Sequence, residues 1–227
     1  MRSLSVSRFK SIDAATLQFG HLTLLVGTNA SGKSNLLEAL QLLAWVARGQ
    51  RLGDLPSALR DGQLAVRGGV SDLLPLGAPP APVGFEVRLD GPGDMGCLRL
   101  QLELHIAQGE VSIGAELLEA PEYARAKLPL YRTVGAPDPS ARRLRVEYNN
   151  FKRGGKKPTV DCVDDRPVFT QLISPARFER HHDEAQAQIP SAAEATQAAL
   201  RGVLFLDPDP RAMRGYAFRE EQLLRGD

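Results

Sequence analysis

The chain has 227 residues, 43% of them hydrophobic and 24% charged, with a formal net charge of +1. It can bury one large domain or a domain with a lobe, and its near-neutral balance offers no global attraction to nucleic acid, so any such contact has to come from a local patch or a partner. No apolar stretch approaches the about 20 residues of a bilayer helix, Met1-Arg2-Ser3-Leu4 lacks a signal peptide's apolar core, and Cys97 and Cys162 each sit in a strand-like run as small buried residues, so a cytoplasmic protein without membrane contact is expected.

The first elements read as a hairpin. Leu4-Ser5-Val6-Ser7 alternates, Phe9-Lys10-Ser11-Ile12-Asp13 has turn composition, and Ala15-Thr16-Leu17-Gln18-Phe19 alternates again before Gly20. The apolar run Leu22-Thr23-Leu24-Leu25-Val26 then predicts a buried strand. Directly behind it, Gly27-Thr28-Asn29-Ala30-Ser31-Gly32-Lys33-Ser34 spells G-x-x-x-x-G-K-S, a Walker A P-loop. In such a loop the glycines turn successive backbone N–H groups toward an anion, and the following helix presents its positive N-terminus to the same phosphates. Gly27, Asn29, Ala30, Ser31, Gly32, Lys33, Ser34 and Asn35 are therefore the expected nucleotide-binding residues. Lys33 would reach the β- and γ-phosphates and the Ser34 hydroxyl would ligate Mg²⁺. Asn35 to Ala47 continues as a strong helix former, apolar on nearly every side. There is no Asn-Lys-x-Asp guanine motif, so ATP with Mg²⁺ is the expected ligand.

Pro75 to Pro82 reads as a linker into a strand-rich lobe. Val83, Phe85, Val87 and Leu89 alternate with polar residues until Gly91-Pro92-Gly93-Asp94; Leu98, Leu100, Leu102, Leu104 and Ile106 form the next inward row; Gln108-Gly109 turns the chain, and Val111, Ile113, Ala115 and Leu117 continue the period. Further strands are expected at Leu128–Val134, Arg143–Asn149 and Thr159–Val163, and helices at Pro167–Ser174 and Ala192–Leu200. Lys152-Arg153-Gly154-Gly155-Lys156-Lys157 reads as a basic hairpin tip, either a solvated turn or a contact to a phosphate backbone. His181-His182-Asp183-Glu184 has metal-ligand chemistry, but adjacent residues on a helix diverge, so a metal site is not expected there. The terminal Arg225-Gly226-Asp227 carries no adhesion reading.

Leu4-x-Val6-x-x-Phe9-Lys10-Ser11 together with Leu22-x-Leu24-Leu25-Val26-Gly27-x-Asn29-x-Ser31-Gly32-Lys33-Ser34-Asn35-Leu36-Leu37-Glu38-Ala39-Leu40 resembles the ABC-type ATPase heads of the SMC/Rad50/RecF group, most of all the RecF-like and OLD-like bacterial ATPases of the AAA-15/AAA-21 kind. Weaker echoes are Ser71-Asp72-Leu73-Leu74 with Gly77-Ala78, and Phe205-Leu206-Asp207-Pro208-Asp209-Pro210 with Met213-Arg214. The resemblance implies an α/β P-loop NTPase fold with an antiparallel β subdomain and a helical C-terminal part, divided as an N-terminal P-loop lobe over 1–74, the β subdomain over 75–165 and a mainly helical segment over 166–227. It also places Lys10 and Ser11 beside the nucleotide.

Hydrolysis in such a head needs a strand ending in Asp-Glu and a Ser-Gly-Gly signature. Neither is found: after Val203-Leu204-Phe205-Leu206-Asp207, Pro208 stands where the glutamate would. The expectation is thus the ATP-Mg binding N-terminal portion of a RecF/SMC-like ATPase, ending before its catalytic half. Its complete form would be a homodimer around ATP acting on DNA in repair or phage defence. The alternative is a non-hydrolysing scaffold or split subunit that docks a nuclease or the complementing C-terminal half. A small-molecule kinase fits the pre-loop hairpin poorly.

Overall fold

The computed structural model describes residues 1–64, 66–77, 81–135 and 141–203. The hairpin of β1 (Ser3–Phe9) and β2 (Ile12–Gln18) is followed by α1 (Lys33–Val46), the short α2 (Leu55–Arg60), and then β3 (Val83–Asp90), β4 (Cys97–Ala107) and β5 (Glu110–Glu119). β6 (Tyr131–Thr133), β7 (Arg143–Tyr148) and β8 (Thr159–Val163) complete the strands; α3 (Val168–Gln171) and α4 (Asp183–Arg201) close the described chain. The echo at Phe205–Arg214, the aspartate strand ending at Asp207 and the terminal Arg-Gly-Asp lie outside the described residues.

All eight strands form one antiparallel sheet in the order β2-β1-β3-β4-β5-β6-β7-β8. Period-two alternation explains its orientation: Leu4 and Val6, Phe85 and Val87, and Leu100 and Leu102 are buried on one face, while Ser5, Glu86 and Gln101 stand between them. β1 pairs with β2 on one side and β3 on the other, so the sheet runs unbroken from the hairpin ahead of the P-loop into the strand meander. α1 lies against β1 and α4, burying Ala39, Leu42, Leu43, Trp45 and Val46, and the Gln197 side chain of α4 donates to the Ala47 carbonyl at 3.1 Å. No helix among the described residues is long and apolar enough to cross a membrane.

Two expectations are corrected. Leu22 to Val26 lies outside the sheet, with Leu22, Leu24 and Val26 exposed by 79%, 75% and 92%. Composition marks the segment as a strand apolar on both faces, but burial needs neighbours, and among the described residues no strand lies beside it. The inward row of β5 also changes phase. The register shifts at Glu103 and Leu104, which pair with Ala115 and Ile113 and leave Gly114 as the extra residue. A Cβ at Gly114 would lie 2.0 Å from the His105 ring, so a larger residue at this bulge requires the exposed His105 side chain to move. Beyond it Glu116 and Leu118, not Ala115 and Leu117, face the core.

Candidate nucleotide site

The loop from Gly27 to Gly32 leads into α1. Ala30 and Gly32 adopt left-handed backbone, with φ of 64° and 88°, and Gly32 caps the helix while Leu36 N–H already bonds to its carbonyl at 3.0 Å. No acidic residue occupies the first turn, so the helix does not neutralise its own positive end. Lys33 bends back over the loop: its Nζ donates to the carbonyls of Gly27 at 2.7 Å and Thr28 at 2.6 Å, and to Ser31 Oγ at 3.2 Å. These are neutral acceptors in a solvent-open position, which a phosphate oxygen can replace.

The cleft in front of this helix end has a volume of about 430 Å³ and is lined by Ser11, the stretch from Asn29 to Asn35, and Arg67. Gly27 lies beneath it, where a Cβ would meet Ser31 Oγ at 2.9 Å. Asn35 Nδ2 donates to Ser11 Oγ at 2.7 Å, which ties the β1–β2 turn to the first turn of α1. The sequence-derived loop residues and Ser11 are therefore together around one cleft.

Lys10 is placed differently. Its backbone is left-handed, with φ of 52°, its N–H bonds to the Leu73 carbonyl at 2.9 Å, and its ammonium is held by Glu38 of α1 and the Arg67 carbonyl, the latter at 2.6 Å. Only 11% of the Lys10 side chain is exposed, against 7% for Glu38. Lys10 does not line the cleft; it fastens the hairpin to α1 behind it. Glu38 also accepts from Arg67 Nε at 2.5 Å, and Arg67 Nη2 donates to Asn35 Oδ1 at 3.5 Å. Burial opposes the charge on Glu38, but the hydrogen bonds and charges of Lys10 and Arg67 outweigh it and hold the carboxyl below its ordinary value. Sequence reasoning missed Arg67. It sits ahead of a Gly-Gly pair in a connecting segment, and only its spatial neighbours mark it.

The donor set fits a nucleotide triphosphate with magnesium: a helix N-terminus, an ammonium, a guanidinium and the small side chains Asn29 and Ser31 for the phosphates, and the exposed Ser34 hydroxyl for the cation.

Elsewhere, Glu179, His181 and His182 bring ligand atoms within 4.8 Å of one another, because Glu179 and His181 precede α4 and His182 is its cap, so the helical divergence assumed from sequence does not apply. His182 Nδ1 is 2.9 Å from Tyr148 Oη, and burial, followed by the charge of His181, lowers its pKa. Lys152 and Lys157 add positive potential there, which disfavours a cation.

Residues 22–112 match the family model described as "AAA domain, putative AbiEii toxin, Type IV TA system". Over 69 residues the chain is 45% identical to the DNA replication and repair protein RecF of Gloeobacter violaceus, a stretch that covers 30% of this chain and 16% of that protein. The match thus spans about a sixth of that relative's length.

Proposed function

From a chain whose N-terminal part is that of a RecF-like AAA-type ATPase, we propose that it binds ATP with Mg²⁺ in the cleft at the start of α1, as the N-terminal portion of an ABC/SMC-like head. The observation that carries this reading is the convergence of Lys33, Ser34, Asn35, Ser11 and Arg67 on the left-handed Gly32 at one helix N-terminus. Lys33 leaves the carbonyls of Gly27 and Thr28 for the β- and γ-phosphates, and the backbone from Asn29 to Ser34 cradles them. Ser34 offers the metal its hydroxyl, and a bound magnesium neutralises charge between the phosphates. Arg67 stands across the cleft as a second cation, while Lys10 fixes the distance between the Ser11 turn and α1. In this reading 1–74 is the P-loop lobe, 75–165 the β subdomain and 166–227 a mainly helical segment, working in the cytoplasm.

The finer reading is that water is activated by residues of a complementing C-terminal half, and that the complete protein dimerises around ATP in DNA repair or phage defence. The exposed Leu22–Val26 supports a docking half in particular: the segment that delivers the P-loop has apolar side chains, and backbone groups without a strand partner among the described residues, to offer a second set of strands.

Calorimetric titration with Mg-ATP, with GTP as competitor, tests the first claim. ATP binding in the micromolar range, preferred over GTP and weakened by about 100-fold, or about 2.7 kcal/mol, in Lys33→Ala, is the expected result. Equal binding by folded Lys33→Ala would remove the P-loop from the site. No binding by the folded chain would leave the docking piece as the better reading.

A further inference from the structure

The turn ahead of α4 gathers three metal-binding side chains that the nucleotide reading does not use. His182 N–H bonds to the Glu179 carbonyl at 3.0 Å, and Gln186 Nε2 donates to the same carbonyl at 2.8 Å, so the turn from Glu179 to His182 is closed and fastened to the start of α4. In it the ligand atoms of Glu179, His181 and His182 lie within 4.8 Å of one another, and no other such trio converges among the described residues. His181 Nε2 is already 3.3 Å from a Glu179 carboxylate oxygen, and the His181 and His182 rings are 4.2 Å apart. The run His181-His182-Asp183-Glu184 suggests a different set. Asp183 and Glu184 belong to α4, where Glu184 lies 3.6 Å from Arg125, and the third ligand comes instead from upstream.

One of the three is held in place. His182 is buried, with Nδ1 2.9 Å from Tyr148 Oη, and the same phenol oxygen accepts the Glu179 N–H at 3.3 Å. Tyr148 is itself fixed edge to face against Phe178 at 5.0 Å. An imidazole held at one nitrogen presents the other in a set direction, which is how metal-bound histidines are oriented. The Glu179 and His181 side chains are 53% and 66% exposed, so both are free to close the roughly 1 Å that bonds of about 2.1 Å to one tetrahedral ion require. A cleft of about 440 Å³, lined by Glu179 and His182 with Asn150, Lys156, Lys157 and Thr159, gives an ion its way in.

We propose that Glu179, His181 and His182 form a three-ligand site for a zinc-class transition-metal ion, with Tyr148 as the residue that positions His182. The positive potential of Lys152 and Lys157 turns away calcium or magnesium, whose hold on a site is electrostatic; zinc gains from bonds to imidazole nitrogen that those cations lack. Two histidines and one carboxylate leave the fourth position of a tetrahedral ion open, for water from the cleft. The inference does not rest on the nucleotide site, which shares none of these residues.

The test is calorimetric titration of the untagged, chelator-treated full chain with Zn²⁺ in the absence of nucleotide, followed by the visible absorption of the Co²⁺ form. One ion per chain is expected, with a dissociation constant of about 1 μM or tighter, unaffected by millimolar Ca²⁺ or Mg²⁺, and with the intense bands of four-coordinate cobalt. His181→Ala and Glu179→Gln alter exposed positions and leave the fold intact; each should weaken zinc by about 100-fold, and Tyr148→Phe, which keeps its ring against Phe178, by about tenfold. Zinc binding weaker than about 100 μM, a six-coordinate cobalt spectrum, or unaltered affinity in any of the three variants would overturn the proposal. Lys33→Ala should bind zinc like wild type; a loss there matching that of His181→Ala would move the ion to the P-loop and overturn it too.

Discussion

Replacing Glu116 by alanine is expected to destabilise the fold by about 4 kcal/mol, a large fraction of the stability of a domain this size. The carboxylate accepts from Tyr131 Oη at 2.7 Å, Val168 N–H at 2.7 Å and Phe169 N–H at 2.8 Å, and all four residues are buried. Alanine leaves three donors without water or partner, each worth about 1 to 3 kcal/mol, and frees α3 from β5. Urea unfolding measures this, and a midpoint within error of wild type would sink the argument. The same residue sets a pH dependence. Burial pushes its carboxyl up to about 7, although the Tyr131, Val168 and Phe169 hydrogen bonds favour the charged form. Between about 4.5 and about 7 the folded chain holds a proton that the unfolded chain has released, so this group's stabilisation is full below 4.5 and is lost as pH rises to about 7. Subtracting the stability profile of Glu116→Gln from that of wild type should isolate the falling slope; a difference that rises with pH would contradict it.

Glu38→Gln is expected to cost about 3 kcal/mol by leaving the Lys10 ammonium nearly buried beside neutral acceptors and without its counter-charge. Arg67, 72% exposed, regains water and adds little to that loss. The effect reaches the cleft because Lys10 and Glu38 hold the Ser11 turn against the Asn35 turn of α1, and Mg-ATP affinity should fall about tenfold when that spacing relaxes. A Lys10→Met/Glu38→Gln double variant removes the stranded charge and should recover more than half of the stability, with ATP affinity still reduced. A double variant as unstable as the sum of the singles would show that the pair is not coupled. In the wild type the Glu38 carboxyl lies below its ordinary value, so its contribution stands above that value and disappears as pH falls through the lowered one.

Local chemistry was legible in the sequence and spatial partnership was not. The β1–β2 hairpin, the inward rows of β3 and β4 and the Gln108-Gly109 turn follow from alternation and turn residues, and the glycine loop with its helix follows from a motif whose mechanics are local. The strands from β3 onward are expected as a meander, but their continuity with the N-terminal hairpin in one sheet depends on β1 pairing with β3 across about 80 residues of chain, which no periodicity records. Glu116 reads as an outward residue until the Gly114 bulge shifts the phase, and that bulge shows in the register of β4 with β5, not in the alternation of residue types. The family resemblance puts Lys10 beside the nucleotide, yet Glu38 of α1 holds its ammonium instead. The Leu22–Val26 run shows the reverse case, in which composition reports an environment that the described strands do not supply.

That unpaired run also governs how the protein behaves in bulk. Between Asp13 and Lys33 the chain contains no proline and no charged side chain apart from titratable His21, and this stretch includes most of β2, one edge of the sheet. Adjacent copies thus meet with a strand edge that no described residue covers and an apolar run beside it, and neither carries the lysine or proline that ordinarily deters edge-to-edge growth. Solubility at high concentration then becomes a readout of whether something covers Leu22, Leu24 and Val26, and synthesis alongside such a cover is the physical route by which the chain escapes its own stickiness.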